Sequence, residues 1–343
     1  MADIYKLIRE NVKSLIPYSC ARDEFKGKEG IFLDANENPY GSLNRYPDPY
    51  QRKLKASISK IKGVPEENIF LGNGSDEIID LCFRIFCNPG RDKALTFTPT
   101  YGMYEVSAAI NDVKLIKIPL SEDFQIEFKS VLPTLKDPAL KLIFICSPNN
   151  PTGNSMIGFE IESIISGFEG VVVIDEAYID FSEQQSFKTM INRYNNLIMM
   201  QTFSKALGLA AARVGMAFMD PSMIHYFNKM KPPYNISTIN QKAALKCLGR
   251  IELLKNRVSR IKTERERLAY TLEKMSIIEK VFPSDSNFLL VKTSNADLIY
   301  SELIDNKIIV RNRNRMVSGC IRITVGTERE NNKLIRALQR IKI

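Results

Sequence analysis

The sequence predicts an α/β protein, with a large domain whose mostly parallel sheet lies between helices and a smaller α+β domain behind it. Three observations carry this expectation. Short apolar runs rich in branched residues recur from about residue 50 to 240. Stretches with helical spacing separate most of them, the pattern of a sheet buried on both faces. Beyond about residue 241 the order changes to a long charged helix followed by short strands. A chain of 343 residues is long enough for two such domains.

In chain order, residues 1–35 read as an arm with a short helix and the turn Pro17-Tyr18-Ser19, expected to join the small domain. Residues 36–240 form the large domain. Its strands are expected at Ala94–Phe97, Lys114–Ile118, Leu142–Ile145, Val171–Ile174, Leu197–Met200 and Val214–Phe218. Residues 241–343 form the small domain. Its helix is expected over 251–275, its strands at Phe288–Val291, Ile308–Val310 and Ile321–Val325, and a last helix over 328–342.

Composition narrows the function. Hydrophobic residues make up 44% and charged residues 25%, as in ordinary globular proteins. There is no apolar run of 18 residues, and the N-terminus has no apolar signal core, so a cytoplasmic protein is expected. Six cysteines are scattered without a Cys-x-x-Cys pair and read as reduced core thiols, and His225 is the lone histidine. No metal site is expected. The net charge is +9, and residues 251–343 hold 19 Lys and Arg against 11 Asp and Glu. Charges of alternating sign in 255–274 suit a solvated helix face, and no nucleic-acid motif accompanies the excess.

The chemistry gathers at strand ends. Asn150 follows 142–146, Asp175 ends 171–174, and Lys205 follows 197–203 in Thr202-Phe203-Ser204-Lys205-Ala206-Leu207-Gly208. In open α/β sheets ligands bind outside the carboxyl ends of the strands, so the three segments converge on one crevice. A lysine, a carboxylate, an asparagine and Tyr178 so placed suit pyridoxal phosphate, which is held by a lysine Schiff base with a carboxylate on its ring nitrogen. Gly72-Asn73-Gly74-Ser75-Asp76-Glu77 opens a helix running to about Phe86. Its free N–H groups would cradle a phosphate, although a simple turn and cap reads the same residues. Ser204 and Arg213 would add donors. Arg322 lies within an apolar strand, where it needs either an anion or a structural ion-pair partner.

Taken together, these motifs resemble the fold-type-I pyridoxal phosphate aminotransferases, and among them the histidinol-phosphate aminotransferase family. The matching segments include Asp34-Ala35-Asn36-Glu37-Asn38-Pro39, Asn44-Arg45-Tyr46-Pro47-Asp48, Pro99-Thr100-Tyr101, Ser147-Pro148-Asn149-Asn150-Pro151-Thr152-Gly153, Asp175-Glu176-Ala177-Tyr178, Ser204-Lys205 with Arg213, and Ser318-Gly319-Cys320-Ile321-Arg322-Ile323-Thr324. The resemblance covers nearly the whole chain. It implies a seven-stranded sheet and a homodimer with shared active sites. Lys205 is implied as Schiff-base lysine and general base, and Asp175 as the partner of the ring nitrogen. Asn150 and Tyr178 are implied on the ring oxygen, and Tyr101 stacked on the ring. Ser75, Asp76 (through its amide), Ser204 and Arg213 would hold the cofactor phosphate, joined by Tyr46 from the other subunit.

The resemblance further implies that Tyr18, Asn36, Arg311 and Arg322 bind substrate, the arginines and Tyr18 gripping the phosphate of histidinol phosphate. The same arginines would take the carboxylates of glutamate and 2-oxoglutarate in the other half-reaction. Two places depart from the family pattern. Ala211-Ala212 stands before Arg213 where Gly-Leu is usual, and the segment from Arg311 to Arg322 is short, so Arg313 or Arg315 could replace Arg311. Threonine-phosphate decarboxylase and aromatic amino acid aminotransferase are the alternatives on the same fold. A basic regulator binding nucleic acid is the non-enzymatic one.

Overall fold

A computed structural model describes residues 3–18 and 30–341. The large domain is built on a seven-stranded sheet of order β1-β7-β6-β5-β4-β2-β3. Its strands are β1 (Ile69–Gly72), β2 (Lys93–Thr98), β3 (Lys114–Pro119), β4 (Leu140–Cys146), β5 (Val171–Asp175), β6 (Leu197–Thr202) and β7 (Gly215–Phe218). All the expected runs are strands. The sheet also contains β1, whose four residues are uniformly buried and so carry no alternation to distinguish them from a helix segment. Strands β2 to β6 pair in parallel, whereas β7 runs antiparallel to both β6 and β1.

Strand alternation divides the core into two layers. Val172 and Ile174 of β5 join the helices Arg52–Lys62, Phe128–Leu135, Gly158–Gly167 and Thr238–Leu248 on one face. Val171 and Val173 join the helices Ser75–Phe86, Met103–Ile110 and Pro221–Met230 on the other. Burying each such branched side chain contributes about 1.5–3 kcal/mol. Asp175 continues the odd-numbered series and so falls under the helix that carries Tyr104.

The small domain has an antiparallel sheet of order β10-β11-β9-β8, made of β8 (Ile278–Val281), β9 (Phe288–Thr293), β10 (Arg311–Asn312) and β11 (Cys320–Thr324). The helices Ile251–Leu272, Ala296–Asp305 and Glu328–Leu338 pack on it. β8 was not expected. Pairing expected at Ile308–Val310 starts instead at Arg311, because Ile308 closes the preceding helix through its N–H to the Leu303 carbonyl (2.8 Å).

Two expectations about domain limits change. Residues 3–14 do not join the small domain: Ile4, Ile8 and Val12 enter the large-domain core. The Arg9 N–H donates to the Ile85 carbonyl (3.0 Å), and Lys229 Nζ to the Lys13 carbonyl (2.7 Å). The boundary at 240/241 also falls inside one packed unit. Ala244, Leu248 and Leu254 belong to the large core, whereas Leu268 and Leu272 belong to the small one. We therefore place the change of core within the helix Ile251–Leu272, whose charged middle bridges the two.

Candidate active site

The carboxyl ends of β4, β5 and β6 lie level, with Cys146 opposite Asp175 and Asp175 opposite Met200. The residues that follow open into a cleft of about 370 Å³, lined among others by Ser75, Tyr101, Asn150, Asp175, Tyr178, Lys205 and Arg213 from the large domain and Arg311, Arg313 and Arg322 from the small one.

Lys205 stands on a closed loop. The Phe203 N–H donates to the Val214 carbonyl (3.0 Å), the Leu209 N–H to the Phe203 carbonyl (2.9 Å) and the Gly208 N–H to the Lys205 carbonyl (2.9 Å). The lysine is solvent-accessible, with its Nζ 5.5 Å from the centre of the Tyr178 ring. Desolvation and then the charge of Arg322 hold its pKa below the usual lysine value. Both effects favour the neutral, nucleophilic amine.

Asp175 is buried. Its Oδ2 accepts from Tyr104 Oη (2.8 Å) and its Oδ1 from the Ala177 N–H (3.0 Å). Burial raises its pKa despite these donors. Tyr104 was not foreseen. It is fully buried and stacks on Phe144 at 5.0 Å, and nothing in its helix marks it as a site residue.

The helix Ser75–Phe86 points its N-terminus at the cleft. Gly74 has φ +77°, and a Cβ there would meet Arg213 Nη2 at 2.7 Å. A Cβ on Gly215 would lie 2.5 Å from Ser75 N, so glycine lets β7 and the helix start meet. Arg213, in left-handed backbone (φ +48°), turns back to place Nη2 3.2 Å from Asp76 Oδ2. Ala211 does not displace it, since Ala210–Ala212 form the 3₁₀ turn that delivers it. Tyr101 Oη also donates to Asp76 (3.1 Å). The side chain of Asp76 thus orients Arg213 and Tyr101, leaving its amide at the helix end.

From the small domain, Arg322 Nη1 donates to Asn150 Oδ1, and the guanidinium lies 5.1 Å from the Phe288 ring centre. Arg311 is its cross-strand partner. Arg313 enters the cleft as well and also borders a neighbouring cavity, which Arg315 lines with Thr98 and Lys117 without reaching the cleft. The Nε atoms of Arg313 and Arg322 are buried and unpaired.

Three expected residues do not line this cleft. Asn36 and Tyr46 line a separate depression, where Tyr46 stacks on Tyr234 at 4.4 Å. Tyr18 is 74% exposed on the arm. Among the described residues there is no cluster suited to a metal ion, and Cys82, Cys87, Cys146, Cys247 and Cys320 are free thiols. Cys20 lies outside the described residues.

Residues 28–338 match the family Aminotransferase class I and II. A histidinol-phosphate aminotransferase of Parabacteroides distasonis is 49% identical over 346 residues, covering 100% of both chains. The chain belongs to the histidinol-phosphate aminotransferase family. Among solved structures, the histidinol-phosphate aminotransferase of Clostridium acetobutylicum superposes with a TM-score of 0.80 at 26% identity, covering 87% of this chain and 90% of that one. The Sinorhizobium meliloti enzyme, solved in complex with pyridoxal-5'-phosphate, gives 0.80 at 24% identity and shares the fold, covering 89% of each chain. This aminotransferase therefore has the fold-type-I architecture, and no helix among its described residues is long and apolar enough to cross a membrane.

Beside the cleft, Glu176 faces the opposite layer. It accepts from Ser186 Oγ (2.5 Å), the Phe187 N–H (2.7 Å) and Gln201 Nε2 (2.9 Å), yet burial raises its pKa to about 7. A raised folded-state pKa means that the folded protein binds the proton more tightly, so this contribution to stability is full at low pH and declines as pH rises toward 7. Glu176→Gln removes the dependence. Relative to wild type, the variant is expected to gain about 3 kcal/mol between pH 4 and 8. Urea unfolding across that range measures it, and parallel pH profiles for the two proteins would refute it.

Proposed function

We propose that this aminotransferase moves the amino group of L-histidinol phosphate to 2-oxoglutarate, giving imidazole acetol phosphate and glutamate in histidine biosynthesis, as a cytoplasmic homodimer that uses pyridoxal phosphate. The observation that carries the substrate is the meeting of Arg311, Arg313 and Arg322 with Lys205 in one cleft. Cationic side chains with buried, unpaired Nε atoms need an anion. Histidinol phosphate has no α-carboxylate, so its phosphate takes that place.

The residues present fit the cofactor. Gly74 and Gly215 let Arg213 and β7 pack against the helix start, so that its N–H groups and Arg213 face the cleft together above a buried carboxylate. When bound, the group supplies an electron-accepting ring. Asp175, oriented by Tyr104 and the Ala177 amide, would hold the ring-nitrogen proton, and Asn150 and Tyr178 would hold the ring oxygen. Ser75, Asp76, Ser204 and Arg213 would hold the phosphate. Lys205 would attach the cofactor and then carry a proton at Nζ to and from the substrate carbon. Tyr101 would lie on the ring. Exposed Leu43 and Ile239 lining the Asn36–Tyr46 depression support a dimer face, through which Tyr46 of the partner subunit would reach the phosphate. Tyr18 and Asn36 would likewise complete the substrate site.

The test is spectroscopic. Purified holoenzyme is mixed with histidinol phosphate, threonine phosphate or phenylalanine, and the cofactor absorbance is followed from the aldehyde-derived to the amine form. Histidinol phosphate is expected to convert it fastest. Conversion by phenylalanine but not by histidinol phosphate would sink this reading, and carbon dioxide release from threonine phosphate would point to the decarboxylase.

A further inference from the structure

The 311–319 segment places an additional charge in the cleft and holds it there. Residues two apart on a strand share a face. Arg311 and Arg313 point into the cleft, while Asn312 and Asn314 point away from it. The two asparagines meet Asp297, at the start of the helix Ala296–Asp305. Asn312 Nδ2 donates to Asp297 Oδ1 (2.6 Å) and Asn314 Nδ2 to Oδ2 (2.7 Å). Asn314 Oδ1 accepts from the Gly319 N–H (2.8 Å), and Asn312 Oδ1 from the Asn314 N–H (2.8 Å). The Arg313 N–H donates to the Cys320 carbonyl (2.9 Å), so pairing with β11 continues past the end of β10. A single carboxylate thus clamps both sides of Arg313.

Among the described residues no salt bridge neutralises Arg311, Arg313 or Arg322. Burial, then the neighbouring Arg322 and Arg311, pull the Arg313 guanidinium down to about 10, which still leaves it cationic at neutral pH. Arg322 is engaged with Asn150, and Arg311 is exposed. Two arginines suffice to grip a carboxylate. A third unpaired guanidinium suits an anion with a second negative charge and a third oxygen.

We infer that Arg313, held by the Asp297–Asn312–Asn314 clamp, is the specificity residue that makes this cleft prefer a phosphate dianion to a carboxylate. The inference deepens the proposed function and rests on it for the identity of the phosphate compound, but the anion preference can be read without that compound. Inorganic phosphate and acetate are tested as inhibitors of the glutamate half-reaction of the holoenzyme, in wild type, Arg313→Gln and Asp297→Ala. Losing one charge-assisted contact is expected to weaken phosphate about tenfold or more beyond any weakening of acetate in Arg313→Gln. Asp297→Ala, which leaves the arginine in place but frees its segment, is expected to shift in the same direction by a smaller factor, and Asp297→Asn to recover part of the loss. Equal weakening of both anions, or no selective loss of phosphate, would overturn the inference. Failure of wild type to accept histidinol phosphate with the phosphate preference intact would instead overturn the substrate reading alone.

Discussion

Lys205→Ala is expected to lower turnover by more than about 10³-fold, because in the proposed mechanism it removes both the point of covalent attachment and the proton carrier at the reacting carbon. The geometry offers no substitute. The loop from Phe203 to Val214 is closed by its own backbone hydrogen bonds, and among the described residues Lys205 is the only lysine lining the cleft. Two measurements separate this from misfolding. After borohydride reduction, mass spectrometry of the wild type is expected to find the cofactor on the Lys205 peptide, whereas the variant should carry none. The variant should unfold near the wild-type urea midpoint, since the lysine side chain is exposed on the cleft wall. Cofactor fixed to a different lysine in the wild type would move the chemistry elsewhere.

Asp175→Asn is the second large effect. The substitution keeps the shape of a buried side chain held by Tyr104 and the Ala177 amide, but removes the charge that would pair with the ring nitrogen. Losing one member of a buried pair costs about 3–5 kcal/mol, which corresponds to cofactor affinity weakened by about 10² to 10³-fold or more. Titration of the cofactor-free protein with pyridoxal phosphate, followed by fluorescence, measures it. Affinity within threefold of wild type would rule out the assigned role. The pH dependence has a definite sign. Burial raises the Asp175 pKa above the usual carboxylate range, and pairing needs the ionised form. Cofactor binding should therefore weaken as pH falls toward that raised pKa, and the asparagine variant should lose this part of the profile.

How much of this was legible follows from where each residue sits. Asn150, Asp175 and Lys205 each follow an apolar strand, and a parallel sheet exposes its strand ends on one edge, so residue order alone predicted their meeting. Gly74 and Ser75 announced the helix start in the same way. Tyr104 was not legible. It lies in the first turn of the helix Met103–Ile110, and it reaches Asp175 only because strand alternation puts that carboxylate on the same face as the helix. The three-arginine cluster was half legible. Arg311 and Arg313 share a face by period two, but the strand was expected at Ile308–Val310, which left both arginines beyond its end.

Local sequence therefore specified the large sheet, the family and the strand-end residues that meet in the cleft, because these depend on strand-length apolar runs and on residues adjacent to them. Folding in three dimensions settled what depends on contacts between distant segments. The arm packs on the large domain because its apolar residues Ile4, Ile8 and Val12 find a face there. The change of core lies inside one charged helix, where no composition shift marks it. Arg313 rather than Arg315 enters the cleft, because the chain turns after Asn314 and a turn ends the alternation that a strand would have continued.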